Sequence, residues 1–153
     1  MFLLFTAMLA VSTSPIIARY LDDVPAVAIS FWRMGFGALI LWMISVIKKQ
    51  TPLSYENRNK TIMAGIFLGI HFALFFGAIK LTTIANATFL GTLAPLFTFF
   101  IEKFFLKRKH QTILLLGLGL AITGAMIIVG NQFDFSSDFT LGNLLAIACS
   151  LFL

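Results

Sequence analysis

Thr61 to Ile79 reads TIMAGIFLGIHFALFFGAI, nineteen residues without a single Asp, Glu, Lys or Arg. A helix needs about 20 consecutive apolar residues to cross the hydrocarbon of a bilayer. Within that hydrocarbon only a backbone that satisfies its own hydrogen bonds is tolerated. The stretch therefore predicts a membrane-spanning helix. Searching outward by the same criterion finds charge-poor runs at Met1 to Ala18, Pro25 to Ile47, Ile84 to Ile101 and Thr112 to Gly130. A sixth, Phe139 to Leu153, is too short to span as it stands. The predicted fold is an all-α membrane protein, a bundle of five complete transmembrane helices plus a truncated sixth. Pro25 and Pro52 fall at the start of a run and in a loop, where helices tolerate proline.

Composition agrees. The 153 residues are 59% hydrophobic and 11% charged, with a mean hydropathy of +0.99. An ordinary soluble domain is about 45–50% apolar and about 25% charged. A net charge of +5 raises the question of nucleic acid. The basic residues lie in short runs between apolar segments rather than along one polar face, which fits membrane topology and excludes a nucleic-acid partner. Cys149 is the single cysteine, so no intramolecular disulfide forms, and it reads as a small apolar helix residue. No Lys or Arg precedes the first apolar run and further spans follow it, so that run is not read as a cleaved signal peptide.

Lysine and arginine in short loops stay on the cytoplasmic side. Lys48, Lys49, Arg58 and Lys60 follow the second run, and Lys103, Lys107, Arg108 and Lys109 follow the fourth. Against these eight, the opposite side has only Arg19 and Lys80. The expected location is the cell (inner) membrane, multi-pass, with a cytoplasmic N-terminus. Tyr20 and Trp42 sit near opposite boundaries, as aromatic belts require.

Helical periodicity then sorts the faces. Ala26, Ser30, Arg33 and Gly37 share a stripe of the second helix, with Phe31, Leu39 and Trp42 roughly opposite. Arg33 lies eight residues beyond Pro25, where an unshielded charge would cost on the order of 2.5–3.5 kcal/mol. Two readings stay open: it snorkels or pairs with Asp22 or Asp23, or it lines a polar cavity. Gly65, Gly69, Ala73 and Gly77 repeat every four residues on the third helix, a small-residue strip for close helix packing. His71 projects to the other side, one turn from Phe67 and from Phe75. It either has a functional role, as a substrate contact or a protonation switch, or makes a satisfied interhelical hydrogen bond.

The fourth helix gathers Thr88, Gly91, Thr92, Pro95, Thr98 and Glu102 within about 120° of arc, its most polar face. Pro95 has no N–H and crowds the carbonyl of Gly91, so this helix is expected to kink or loosen in mid-membrane. The threonines either line a cavity or bond their own helix backbone. Gly117, Ala121 and Gly124 of the fifth helix again share a packing face. Arg33, His71, Thr88, Thr92 and Pro95 are the substrate-path candidates. The sequence contains no H-E-x-x-H, no phosphate-binding Gly-rich loop and no nucleophile triad, so no catalytic residue, metal or cofactor is assigned and the chain is not read as an enzyme.

Taken in order, Phe31-Trp32-Arg33, then Ala78 with Thr83, Ala85 and Ala87 leading into Leu93-Ala94-Pro95-Leu96-Phe97, and the glycine-rich close from Gly117 to Gly130 resemble the EamA-type family of the drug/metabolite transporter superfamily. The resemblance covers residues 1–130. It implies a permease or exporter of small metabolites or drugs, working by alternating access in ten helices built as two inverted five-helix repeats. Leu141-Gly142-Asn143-Leu144-Leu145-Ala146 then resembles the opening of the second repeat, so residues 131–153 hold a loop and a truncated sixth helix and the chain is a fragment. Many members carry a Gly-Glu pair where Lys107 and Arg108 stand here. Five crossings would independently put the sixth helix on the side opposite the first, which makes a duplicated unit inverted. The implied partners are the lipid bilayer, a small-molecule substrate and the second repeat. The competing readings are a small transporter acting as a homodimer, which the lopsided basic residues disfavour, and a non-transporting membrane sensor or assembly protein in which Arg33 and His71 are structural.

Overall fold

The computed structural model describes residues 2–107, 112–129 and 137–153. Every regular element among them is helical: α1 (Phe2–Tyr20), α2 (Ala26–Ile47), α3 (Tyr55–Leu81), α4 (Ile84–Gly91), α5 (Ala94–Phe104), α6 (Thr112–Val129) and α7 (Ser137–Ser150). Three stretches are long and apolar enough to cross a membrane, namely α2, α3 and the run Ile84–Phe104 that holds α4 and α5. The described parts of α1, α6 and α7 form shorter apolar helices. Arg108 and Lys109, counted above for orientation, and Gly130 lie outside the described residues.

Local chemistry accounts for the boundaries. Pro25 stands immediately before α2 with φ −56°, the value its ring imposes, and the first helical turn needs no N–H from it. Lys49 ends α2 in the left-handed region at φ 49°, where the amide of Gln50 reaches the carbonyl of Ser45 at 3.1 Å and that of Lys49 reaches Val46 at 3.1 Å. Hydropathy places the start of the third span at Thr61, but α3 begins six residues earlier at Tyr55. Those two polar turns carry their own support: Lys60 pairs with Glu56 at 3.2 Å, and Arg58 lies over the Tyr55 ring at 4.8 Å. Hydropathy detects where lipid begins, not where a helix begins.

The fourth span is not continuous. It breaks at Thr92 and Leu93, and Pro95 occupies the first turn of the new segment α5. The amide of Leu93 turns back to the carbonyl of Leu90 at 3.2 Å, an i to i−3 bond that tightens the end of α4. The predicted loosening at Pro95 is realised as a two-residue turn just upstream, at Thr92 and Leu93, whose dihedrals stay close to helical.

α3 is the central post. α2 and α1 pack on one side of it, α7 packs along it, and α4 packs against α7. The core gathers around the C-terminal half of α3: Phe76, Ala78 and Ile79, with Ala18 from α1, Ala87, Phe89 and Leu90 from α4, and Ala146 and Cys149 from α7. The outward faces remain apolar, with Phe31, Leu39, Trp42, Phe104 and Leu120 all exposed, which is tolerable only where the surrounding medium is itself apolar.

Small residues set how closely the helices approach. A Cβ on Gly69 would lie 3.6 Å from Met34 of α2, and one on Gly77 would lie 3.4 Å from Leu145 of α7. The strip on α3 thus serves two neighbours. A Cβ on Gly65, Gly117 or Gly124 would meet nothing within 4 Å. The tightest approach is at Gly142 of α7, where a Cβ would come within 2.8 Å of the Thr82 amide nitrogen and 2.9 Å of the Leu81 carbonyl carbon. Beside it Thr82 donates its hydroxyl to Asn143 Oδ1 at 2.9 Å.

Candidate functional site

Four of the five path candidates converge. Arg33 of α2, His71 of α3, Thr88 of α4 and Thr92 at the break border one open cleft of about 330 Å³. Gly91 completes the side formed by the fourth span, Phe72 and Phe75 supply aromatic walls from α3, and Val11, Ser12 and Pro15 close it from α1. Leu153 also borders it. Pro95 does not line the cleft; it is exposed, in the first turn of α5. Gly91 and Thr92, at the end of α4, face the opening. On the other wall Pro15 sits inside α1, which runs through it unbroken, and cannot donate to the carbonyl of Val11.

Arg33 is half-buried. Its guanidinium donates a hydrogen bond to the hydroxyl of Ser14 on α1 and lies 4.4 Å from the centre of the Phe72 ring and 5.6 Å from that of Phe76. These faces attract a cation through the ring quadrupole. Asp22 and Asp23 are exposed in the α1–α2 turn and are not its partners. Among the described residues the ion pair formed is Lys60–Glu56, on the polar extension of α3.

His71 is buried, 9% exposed, and its Nδ1 lies 2.7 Å from the carbonyl oxygen of Cys149 on α7. A carbonyl only accepts, so Nδ1 carries the hydrogen and donates it. The ring runs parallel to Phe75, with centroids 6.3 Å apart and planes 3° apart, and meets Phe72 edge-on. His71 makes an interhelical hydrogen bond and also borders the cleft. Thr92 likewise does both, because its hydroxyl donates to the carbonyl of Phe89 at 2.7 Å while it lines the opening.

Several contributors were invisible to periodicity. Ser14, Cys149 and Asn143 carry no signal of their own in the sequence, since each acquires its role from a residue 19 to 78 positions away. Pro15 in mid-run was a legible clue. Arg19 and Lys80 counted only toward orientation, yet they clasp each other's helices. Arg19 donates to the carbonyls of Ile79, Lys80 and Thr82 at the end of α3. Lys80 donates to those of Leu21 at 2.6 Å and Asp22 at 3.1 Å just past α1. Cations suit helix C-termini, where unpaired carbonyls carry partial negative charge.

A membrane-type bundle with a broken helix beside a cleft bordered by one arginine, one histidine and two threonines is the setting in which the comparison with known families acquires meaning. The family model of the EamA-like transporter family matches residues 1–130. The chain belongs to the EamA-like transporter family. It is a multi-pass membrane protein of transporter type. No curated protein and no solved structure gives a significant match. Within this EamA-like chain, Phe31-Trp32-Arg33 places the cleft's arginine on α2, and Leu93-Ala94-Pro95 marks the break between α4 and α5.

Proposed function

We propose that the chain is one five-helix repeat, residues 1–130, together with the opening of a second, residues 131–153, of a ten-helix permease or exporter that moves small metabolites or drugs by alternating access. The cleft carries this reading. It brings Arg33, His71, Thr88 and Thr92 together from separate helices, and it lies where a span is interrupted. Broken backbone at membrane depth is tolerated where it lines a cavity, and substrate sites of inverted-repeat carriers are built from such discontinuous helices. The strip at Gly117, Ala121 and Gly124, where a Cβ on either glycine meets nothing, is then the surface on α6 for a helix of the other repeat. The eight basic residues flanking the second and fourth spans support a cytoplasmic N-terminus, with the inner membrane as the proposed location.

The test is flux. The full-length protein in liposomes is screened for saturable uptake of radiolabelled organic acids, amino acids and cationic drugs, and Arg33→Gln and His71→Gln are then compared with wild type. Both variants should insert normally and lose about tenfold or more in initial rate. Unchanged flux in both removes these residues from the mechanism. A wild-type protein that moves no solute points instead to a sensor or assembly role.

A further inference from the structure

We infer that the cleft selects an organic anion, whose negative group is held by Arg33 and whose apolar body lies against Phe72, Phe75 and Pro15. The inference rests on the reading of this cleft as the substrate site and gives its substrate a charge. Among the described residues whose side chains border the cleft, Arg33 is the one formally charged, and none of them is an Asp or Glu. A guanidinium has five N–H donors in a planar fork suited to two acceptor oxygens, and the described structure gives this one a single hydrogen bond, to Ser14.

The remaining neighbours of Arg33 hold the group without neutralising it. The Phe72 and Phe76 faces and the Ser14 hydroxyl orient the fork and replace part of its water, but none carries a negative charge. A cation half-buried among apolar walls is therefore left to be compensated by what enters. Conversely, a cationic solute would meet Arg33 with no Asp or Glu side chain in the lining to screen it, and like charges brought together disfavour the wrong partner. Thr92 commits its proton to Phe89 and offers the cleft only lone pairs, so the negative group belongs at Arg33 rather than at the break. A volume of about 330 Å³ and mostly apolar walls suit a small monocarboxylate with a hydrocarbon or aromatic body.

Three probes of one shape and different charge separate the possibilities: phenylacetate, phenylacetamide and phenethylammonium. Their binding to the full-length protein in phosphatidylcholine nanodiscs is measured by equilibrium dialysis. Phenylacetate should bind saturably and at least about tenfold more tightly than either isostere, and Arg33→Gln should bring it down to the level of the amide. Ser14→Ala, which keeps the charge but frees the fork, provides a second variant should Arg33→Gln fold poorly, and it should weaken phenylacetate several-fold while leaving the amide unchanged. Equal affinity for the three probes, no saturable binding of phenylacetate, or a preference that survives Arg33→Gln overturns the assignment. Saturable flux of other solutes with no preference for anions would overturn it too, while leaving transport intact. Arginine-dependent binding of phenylacetate without flux of any solute would uphold the anion site and overturn the permease reading.

Discussion

The Nδ1 atom of His71 lies 2.7 Å from the carbonyl oxygen of Cys149, tying the middle of α3 to the last turn of α7. Seventy-eight positions separate the two residues in the chain. The bond fixes the ring beside Phe75 and presents it to the cleft. It also fixes a tautomer, since the carbonyl can only accept.

With ¹⁵N-labelled histidine, the neutral ring of His71 should give the spectrum of the Nδ1–H form. His110, the other histidine of the chain, is replaced by Gln to leave one signal. Observation of the Nε2–H form would mean that the contact with Cys149 is not a hydrogen bond.

Gly142 is the position where α7 can least accept a side chain, because a Cβ there would sit 2.8 Å from the backbone nitrogen of Thr82. Backbone cannot swing aside as a flexible side chain can. Gly142→Ala should destabilise the protein by about 1–3 kcal/mol, the usual cost of overpacking, and should lower protection of the α7 amides in hydrogen exchange. Gly35→Ala on α2, where a Cβ meets nothing within 4 Å, should be neutral or slightly stabilising, because alanine favours a helix over glycine by up to about 1 kcal/mol. Equal melting temperatures for the two variants would show that α7 does not pack this closely on α3.

The reciprocal clasp of Arg19 and Lys80 joins the ends of α1 and α3. Arg19→Ala or Lys80→Met should each lower the melting temperature in detergent by a few degrees, roughly 2–4 °C per kcal/mol for a chain of this size. The double variant should lose less than the sum, because both residues secure one junction and the loss of either already loosens it. Strict additivity would indicate two independent surface contacts.

The interruption at Thr92 and Leu93 is attributed to Pro95, whose ring nitrogen cannot donate to the carbonyl of Gly91. In hydrogen exchange the amides from Thr92 to Leu96 should exchange faster than those of the middle of α3. Pro95→Ala, which restores the donor, should slow them and lower flux if the break shapes the cleft. An unchanged exchange pattern would place the cause of the break in tertiary packing instead.

From the sequence alone came the helical fold, the three long apolar spans, the close approaches at Gly69 and Gly77 of α3, the weak point at Pro95 and the resemblance to a transporter family. These were legible because the demand of hydrocarbon for long, uncharged, self-bonded segments is met locally, residue after residue. The polar start of α3 at Tyr55 escaped notice for the same reason, since nothing in hydropathy distinguishes a helix that emerges into water from a loop. Only the tertiary structure decided which faces meet: that Arg33 turns to Ser14 and Phe72 rather than to Asp22 or Asp23, that His71 reaches Cys149, and that Gly142 seats under Thr82. In a bilayer an apolar side chain is as well accommodated by lipid as by protein, so composition does not say which side of a helix is inward. The rotation and tilt that settle it arise from close packing between segments far apart in the chain.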